Sequence, residues 1–303
     1  MSKQAILKTL HYFDLFDYPP TAEEIKKFLP EPVDATFEET LKRISAGLLL
    51  ICTDGYYCLP EREEIIKLRQ QREVWSRPKL RKAKKVASIL KFIPWIKLVG
   101  VTGALALANS DADDDIDLMI VTAPQRLWLT RGLVVTFLLL TGQYRRPGKI
   151  RNRICPNLML SEDALEFPDH DLFTAHEIVQ MRPIYDRGNT YQKFLQANKW
   201  VKDFLPNAKR KQRAENRKQI QKTEDGKQKL SSVFGYLSSR SVLCLQSSVL
   251  SFLERVAYKL QLKFMESKKT SEVTTPSVIR FHPQDVRLWV LDEYQKRVYT
   301  LPK

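Results

Sequence analysis

The sequence predicts an α+β protein with additional helical segments at both ends of the chain. Between residues 96 and 206, short apolar runs rich in strand-forming residues alternate with runs of helical periodicity. Residues 1–60 contain three amphipathic helical segments followed by two short strand-like runs, and residues 231–303 return to helical periodicity. Two polar segments separate these parts, a basic linker helix at 61–95 and a charged linker at 207–230.

The composition is that of a folded protein with an excess of positive charge. The chain has 303 residues, of which 50 are Lys or Arg and 35 are Asp or Glu, and its formal charge is +15. This balance points to a polyanionic partner, most commonly nucleic acid. The N-terminus lacks the ordered regions of a signal peptide, and the apolar runs fall short of the roughly 20 residues that span a membrane. We therefore expect a cytoplasmic protein with no membrane partner.

The first 60 residues predict three helices followed by a hairpin. Thr21 and Thr36 each stand three residues before a Glu, which is the pattern of a capping box that opens a helix. Asp54-Gly55 joins two β-prone runs and is a strong signal for a two-residue hairpin. This order of elements resembles a winged helix-turn-helix module. Its presumed recognition helix mixes acidic with basic residues, so protein contact or a scaffolding role remains an alternative to DNA binding.

Two basic segments are candidates for contact with a nucleic-acid backbone. The first is the helical run from residue 61 to residue 90, which we expect to be broken at Pro78 and which has no acidic residue after that point. The second is a loop between residues 145 and 153. Such runs are usually solvated surfaces, but these two lie on either side of an aspartate-rich segment, which favours contact with phosphate. The predicted contacts are Arg77, Lys79, Arg81, Lys82, Arg145, Arg146 and Arg151.

The aspartate-rich segment stands out in a chain of such positive charge. Residues 111–117 contain five aspartates, at positions 111, 113, 114, 115 and 117. Asp115 and Asp117 are two residues apart at the start of an apolar strand, so both carboxylates should leave the same face where a buried strand emerges. Upstream, the strand predicted at 96–101 turns at Gly103 into a short helix, where the backbone can approach a phosphate closely.

This combination favours metal-dependent phosphoryl transfer over two other interpretations. Paired carboxylates can hold divalent ions that bridge a triphosphate and the attacking oxygen. A calcium-binding EF-hand loop is excluded, because Ile116 stands where a Gly is needed and Thr122 where a Glu is needed. A solvated acidic turn explains the first three aspartates but not Asp117, because a carboxylate that enters a buried strand is costly without a partner.

Gly103-Ala104, ten further residues and then Asp115-Ile116-Asp117-Leu118 resemble the signature of the nucleotidyltransferase superfamily with the DNA polymerase β-like fold. The resemblance covers residues 96–122 and extends more weakly to about residue 165. It implies a mixed sheet flanked by helices, and it implies that Asp115 and Asp117 are catalytic ligands of Mg²⁺ or Mn²⁺. It also implies that Gly103 and Ala104 bind the phosphates of an NTP, with ATP expected. With the N-terminal module included, the chain resembles a family of bacterial nucleotidyltransferase-domain proteins.

Two positions depart from the superfamily pattern. Ala104 replaces the second residue of the usual Gly-Gly or Gly-Ser pair, which keeps the backbone donor and removes a hydroxyl. The superfamily usually has a third carboxylate on a following strand, and the aligned run RICPNLML offers Asn157 there. Asparagine can ligate a metal through its carbonyl oxygen but cannot act as a general base. Glu162 and Asp163, just past this strand, are the fallback candidates for the third metal ligand.

The resulting prediction is a metal-dependent nucleotidyltransferase that transfers an NMP from an NTP to a hydroxyl. Nucleic acid, RNA first, is the expected acceptor and protein the second choice, because a chain of charge +15 repels a polycationic acceptor such as an aminoglycoside. The alternative is a catalytically inactive domain of the same fold that binds nucleotide or nucleic acid as a regulator. Asn157 keeps that alternative open.

The cysteines and histidines give weaker predictions. The four cysteines show no zinc-finger spacing and are expected to be reduced core thiols. His170 and His176 match no metal-binding motif. His282 precedes Pro283 and is expected to form a helix-start hydrogen bond rather than to act in catalysis.

Overall fold

The computed structural model describes residues 2–208, 240–266, 273–280 and 286–301, with side chains only for residues 248–265 in the second range. The protein has a mixed α/β architecture, in which helices flank a six-stranded mixed sheet. Most of the linker predicted at 207–230, the first residues of the predicted C-terminal region and His282 lie outside the described residues. Among the helices of the described residues, none combines the length and the apolarity needed to cross a membrane.

The first 60 residues form the three helices and the hairpin that the sequence predicts. The helices are α1 (Lys3–Asp14), α2 (Ala22–Phe28) and α3 (Phe37–Ala46), and the hairpin pairs β1 (Ile51–Thr53) with β2 (Tyr56–Cys58). Both turn residues have positive φ, 53° at Asp54 and 80° at Gly55, as a type I′ hairpin turn requires.

Only one of the two predicted capping boxes forms. Thr21 caps α2, since its side chain accepts from the Glu24 amide and the Glu24 carboxylate accepts from the Thr21 amide. Thr36 makes no side-chain cap on α3, so that prediction is wrong. Its amide and its hydroxyl both donate to the Asp34 carboxylate, and this local turn takes the hydroxyl away from the helix terminus.

The long basic segment forms α4 (Glu64–Leu90), a continuous helix, so the break predicted at Pro78 is also wrong. A proline inside a helix removes one backbone hydrogen bond. Packing on both sides of Pro78 offsets that loss. The buried side chains of the helix are Ile65, Ile66, Arg69, Ser76, Lys79, Ala83, Val86, Ala87 and Leu90. Through these contacts α4 joins the N-terminal unit to the sheet.

The sheet consists of β3 (Ile96–Val101), β4 (Ile116–Thr122), β5 (Ile154–Ser161), β6 (Arg182–Asp186), β7 (Val273–Thr274) and β8 (Val278–Arg280). The strand order is β6-β3-β4-β5-β8-β7. β4 and β5 pair in parallel, and the other neighbouring strands are antiparallel. The central strand β4 is buried on both faces after Asp117, as its apolar run predicts.

The remaining helices are α5 (Gly103–Ala106), α6 (Leu127–Leu140), α7 (Leu172–Gln180), α8 (Thr190–Ala197), α9 (Val201–Phe204), α10 (Arg240–Glu266) and α11 (Val286–Tyr299). They cover both faces of the sheet. Leu118 and Ile120 of β4 pack with side chains of α4, α6 and α10 on one face. Met119 and Val121 pack with side chains of α1, α7 and α8 on the other, so the alternation of β4 divides the core in two.

The C-terminal region is not wholly helical, contrary to the prediction. The pair β7 and β8 lies between its two described helices and joins the sheet through β5, with Met159 opposite Ile279. These strands have two and three residues, too few for a periodic signal in the sequence. The helical part behaves as expected, because α10 packs on α6. There the Glu254 carboxylate accepts from the amides of Trp128 and Leu129 at 2.8 and 2.9 Å.

Candidate functional site

Two basic side chains of α4 hold the acidic turn that precedes β4. Arg72 forms a two-pronged ion pair with Asp111, with Nε and Nη2 at 2.8 and 2.9 Å from the two carboxylate oxygens. Lys79 is only 2% exposed, and its Nζ donates to the Ser110 hydroxyl and to the carbonyl oxygens of Asp111 and Asp114. The turn is therefore a fixed part of the fold, and it positions the residues that follow.

Asp115 and Asp117 lie together at the start of β4, as the strand period predicts. Their carboxylate oxygens and the sulfur of Cys155 all lie within 4.8 Å of one another. Asp117 and Cys155 are register partners in the parallel pair β4–β5, so their side chains leave the same face of adjacent strands. The Cys155 side chain also counteracts part of the rise in the pKa of Asp117 that burial causes. Two carboxylates and a thiol thus form one group of potential metal ligands.

Gly103 lies against Asp117 where β3 ends. Its φ is 59°, a conformation that favours glycine, and a Cβ built on it would lie 3.0 Å from Oδ2 of Asp117. In this structure the backbone of Gly103 therefore lies close to the Asp117 carboxylate, whereas the sequence predicts a close approach to a phosphate. Gly103 and Ala104 both line the cleft beside the aspartates. The backbone of Gly103, which the resemblance implies binds a nucleotide phosphate, also opposes the rise in the pKa of Glu177 that burial causes.

Three carboxyl groups of the cleft lie in surroundings that disfavour their ionised forms. Burial, followed by the charges of Asp115 and Glu177, raises the pKa of Asp117 to about 8. Burial also raises the pKa of Asp115, although Arg145 opposes the shift from 2.7 Å, Nε to Oδ2. Burial raises the pKa of Glu177 to about 7. A bound cation would lower these pKa values, because an opposite charge favours the ionised form.

The predicted third ligand, Asn157, lines the same cleft. Its Oδ1 is buried and has no hydrogen-bond partner among the residues that the structure describes. Cys155, two residues earlier on the same face of β5, also reaches the aspartate pair. The sequence does not identify Cys155 as a potential ligand, because the superfamily pattern indicates a third carboxylate and because the register of β5 against β4 is a tertiary property.

The fallback ligands, Glu162 and Asp163, lie at the opposite end of the sheet. They follow the last residue of β5, which pairs with Thr122. Five residue steps separate Thr122 from Asp117, which is about 17 Å at about 3.3 Å per residue. The Glu162 carboxylate instead forms an ion pair with Lys193 at 2.5 Å. This geometry excludes both residues as ligands of an ion held by Asp117.

The predicted nucleic-acid contacts differ in their exposure. The exposed ones are Arg77, Arg81, Arg145, Arg146 and Arg151. Lys82 is half-buried, and its Nζ donates to the carbonyl oxygen of Asn152 at 2.6 Å. Lys79 does not fit the prediction, because its ammonium is buried and bonded to the acidic turn and so cannot reach a partner at the surface.

A cleft of about 330 Å³ opens beside the aspartate pair, a volume within the range of small-ligand sites. One wall is aromatic and comes from the N-terminal unit, a contribution that the sequence did not predict. Its residues are Tyr12, Phe13, Phe16 and Tyr18. Phe16 and Phe173, the latter from α7, are half-buried and keep part of their rings accessible. Accessible aromatic faces can stack on a nucleotide base.

Packing around this cleft fixes the N-terminal unit to the sheet domain. Nδ2 of Asn109 donates to the carbonyl oxygen of Phe16 at 3.1 Å. His176 of α7 stacks between Tyr12 and Phe28, with ring centroids 3.7 and 5.0 Å away. Burial lowers the pKa of His176 well below its usual range, so this histidine is a neutral packing residue.

The cysteines fit the prediction of core thiols only in part. Cys58 is buried, Cys52 is exposed and Cys155 is half-buried in the cleft. The side chain of Cys244 lies outside the described residues. Glu177 is not among the predicted site residues, although a single acidic residue in the otherwise uncharged helix LFTAHEIVQ is a signal of a buried polar role.

Comparison with models of protein families finds no match, and comparison with curated proteins finds no relative. The function of the chain therefore has to be inferred from the chemistry of its own site. That site consists of the aspartate pair, Gly103 and the cleft beside them.

Proposed function

We propose that this protein is a metal-dependent nucleotidyltransferase that transfers an NMP from an NTP to a hydroxyl group. The observation that carries the proposal is the convergence of Asp115, Asp117 and Gly103 on one cleft. In the proposed reaction the acceptor oxygen forms a bond to the α-phosphorus of the NTP. The bond from that phosphorus to the oxygen that bridges the α- and β-phosphates breaks. Pyrophosphate leaves, and the proton of the acceptor hydroxyl passes to solvent.

The donor atoms of the cleft fit a divalent cation. Asp115 and Asp117 offer carboxylate oxygens on one strand face, and Asn157 offers a buried Oδ1 that has no other partner among the described residues. Burial raises the pKa of both aspartates, and a cation bound between them would stabilise their ionised forms. A divalent cation held by these side chains would neutralise the triphosphate and the leaving pyrophosphate, and Mg²⁺ and Mn²⁺ are the ions that the resemblance implies.

Other side chains of the cleft are proposed to bind and orient the nucleotide. Arg145 is exposed at the mouth, and its guanidinium has donors beyond the Nε that pairs with Asp115. A planar guanidinium suits phosphate oxygens, so we assign this residue to the triphosphate. Phe16 and Phe173 offer aromatic faces on which a base can stack.

RNA is the proposed acceptor, ahead of protein. The formal charge of +15 favours a polyanion, and the exposed Arg77 and Arg81 add positive charge on α4, the helix that also holds the acidic turn. We propose that the three helices and hairpin of residues 1–60 are a winged helix-turn-helix. In this proposal α1 shapes the nucleotide cleft, in addition to any contact that the module makes with nucleic acid.

An inactive domain of the same fold, acting as a nucleotide-binding or nucleic-acid-binding regulator, is the second candidate. The observation that favours it is the donor set of β5, which presents Cys155 and Asn157 where the superfamily usually has a carboxylate. Such a domain would bind nucleotide without forming a new covalent bond.

A labelling experiment tests the proposal. The full-length protein is incubated with each NTP, radiolabelled at the α-phosphate, together with Mg²⁺ or Mn²⁺ and total cellular RNA or protein. The proposal predicts covalent label on an acceptor, and parallel reactions with γ-labelled NTP should leave the acceptor unlabelled because the γ-phosphate departs in pyrophosphate. Label from the γ-phosphate alone would indicate a kinase. Nucleotide binding without any transfer would support the regulator.

A further inference from the structure

Cys155 gives the candidate metal site an unusual donor set. Its sulfur and the carboxylate oxygens of Asp115 and Asp117 all lie within 4.8 Å of one another. Around a tetrahedral ion with metal–oxygen bonds of about 2.1 Å and metal–sulfur bonds of about 2.3 Å, oxygen and sulfur are about 3.6 Å apart. The oxygen–sulfur pairs therefore have to close by at most about 1.2 Å, and the oxygen–oxygen pair, about 3.4 Å apart around such an ion, by at most about 1.4 Å.

Cys155 and Asp117 are register partners on adjacent strands, so their ligand atoms lie on the same side of the sheet and within 4.8 Å of one another. The pairing follows from the parallel register of β4 and β5, and it does not depend on a flexible loop. An ion that enters there replaces the thiol proton and uses side chains that are already oriented toward one another.

Asn157 gives an independent indication that this position takes a ligand. Its Oδ1 is buried, lines the cleft and has no hydrogen-bond partner among the described residues. A buried carbonyl oxygen without a partner is destabilising in a fold unless something else binds it. A metal ion or a water molecule bound to that ion would satisfy this oxygen.

The sulfur ligand of Cys155 determines which divalent ion the site prefers. Mg²⁺ takes oxygen ligands and holds several waters, whereas thiolate ligands favour zinc and similar ions. Three protein ligands with an open fourth position are also the pattern of catalytic zinc sites. Two carboxylates and one thiolate in a cleft match that pattern better than they match a magnesium site.

We propose that Asp115, Asp117 and the Cys155 thiolate bind a zinc-class divalent ion in preference to the Mg²⁺ that the sequence predicts. On binding, the S–H bond breaks, its electron pair stays on sulfur and forms the metal–sulfur bond, and the proton passes to solvent. No group is oxidised or reduced. The inference rests on the proposed function for its catalytic meaning, because the ion would lie where the triphosphate binds.

Cobalt absorption spectroscopy on the full-length, metal-free protein tests the inference without any nucleotide. Co²⁺ replaces zinc in such sites and gives a thiolate-to-cobalt charge-transfer band in the near ultraviolet. We expect this band to saturate at one Co²⁺ per chain, to disappear on addition of Zn²⁺ and to persist in a large excess of Mg²⁺. Absence of the band in the wild type, or its loss to Mg²⁺ as readily as to Zn²⁺, would overturn the inference.

Substitutions at two cysteine positions identify the ligand. Cys155→Ser should lose the band and bind Co²⁺ at least about tenfold more weakly. Cys52→Ser removes an exposed thiol and should keep both the band and the affinity. Cys155→Asp provides a second measurement if the serine variant does not fold, since a third carboxylate should shift the preference toward Mn²⁺, detected by electron paramagnetic resonance. A band that survives in Cys155→Ser would contradict the assignment.

The outcome for the metal can be separated from the outcome for the reaction. A band that depends on Cys155, together with no nucleotide transfer under any metal, would retain the metal assignment and remove the proposed function. Nucleotide transfer with Mg²⁺ by a protein that gives no cobalt–thiolate band would retain the proposed function and remove the metal assignment.

Discussion

The ammonium nitrogen of Lys79 lies 2.9 Å from the backbone carbonyl oxygen of Asp114. The same nitrogen donates to the hydroxyl of Ser110 and to the carbonyl oxygen of Asp111. All three of its hydrogens are thus used to hold the turn that leads into Asp115. A residue that belongs to a basic run in the sequence therefore acts as an internal brace of the candidate site.

Replacing this brace should destabilise the protein. Lys79→Met keeps the length of the side chain but leaves two carbonyl oxygens and a hydroxyl without their donor. We expect the free energy of unfolding to fall by about 1–3 kcal/mol, measured by urea denaturation. Arg77→Met, an exposed position on the same helix, is the matched control and should change stability by less than about 0.5 kcal/mol. Equal effects of the two substitutions would contradict the role assigned to Lys79.

Gly103→Ala tests the contact between the turn and the aspartate pair. A methyl group there meets Oδ2 of Asp117 at 3.0 Å in a backbone conformation that disfavours alanine. Gly142→Ala is the matched control, because Gly142 also has positive φ but has open space where the Cβ would lie. We expect both variants to lose stability and only Gly103→Ala to lose affinity for Co²⁺ or Mn²⁺. The same metal affinity in both variants would show that the contact with Asp117 does not shape the site.

Asp117→Asn should change how stability depends on pH. Burial raises the pKa of Asp117 in the folded protein to about 8, above the value of about 4 in an unfolded chain. The stability linked to this group is fully present below about pH 4 and is lost as the pH rises through 8. The variant removes this titration. In metal-free buffer at pH 8 we expect it to exceed the wild type by at least about 1 kcal/mol, or about 2–4 °C in Tm.

The comparison at two pH values provides the control for that experiment. The advantage of Asp117→Asn should shrink between pH 8 and pH 5, because the wild-type carboxyl becomes protonated and neutral over this range. Scanning calorimetry in the presence of a chelator measures both values. An advantage that is independent of pH, or a variant less stable than the wild type at pH 8, would contradict the burial of an ionised Asp117.

The basic surface of α4 should bind RNA through phosphate. Arg77 and Arg81 are both exposed, and losing two contacts to a single strand should reduce the slope of log K against log salt by about 1.4. A double alanine variant at these positions is compared with Lys42→Ala/Arg43→Ala, which removes the same charge from the exposed face of α3. Filter binding across a salt series measures the slopes. A larger reduction of the slope in the α3 variant than in the α4 variant would indicate that RNA contacts the N-terminal unit instead.

Local sequence patterns are sufficient to predict much of the candidate site. The two-residue spacing of Asp115 and Asp117 is sufficient to place their carboxylates on one face, because strand side chains alternate. The hairpin at Asp54-Gly55 is equally local, since the turn chemistry of two residues determines it. These features need no knowledge of distant parts of the chain.

The remaining features depend on tertiary packing. Cys155 joins the aspartate pair only because β5 lies beside β4 in one particular register, which no local pattern specifies. A basic run on a helix does not show which of its side chains points inward, so the sequence predicts Lys79 as a surface contact together with the exposed arginines. The aromatic wall likewise depends on how α1 packs against α7, through rings such as Tyr12 and His176.

The central claim is that the aspartate pair catalyses nucleotide transfer. The most direct measurement is the transfer of label from α-labelled NTP to RNA or protein by the wild type and by Asp117→Asn, with Asp113→Asn as a matched control at an exposed position. We expect transfer by the wild type and by Asp113→Asn, and none by a folded Asp117→Asn protein, because the ligand set of the ion is broken. Wild-type levels of transfer by Asp117→Asn would contradict the claim.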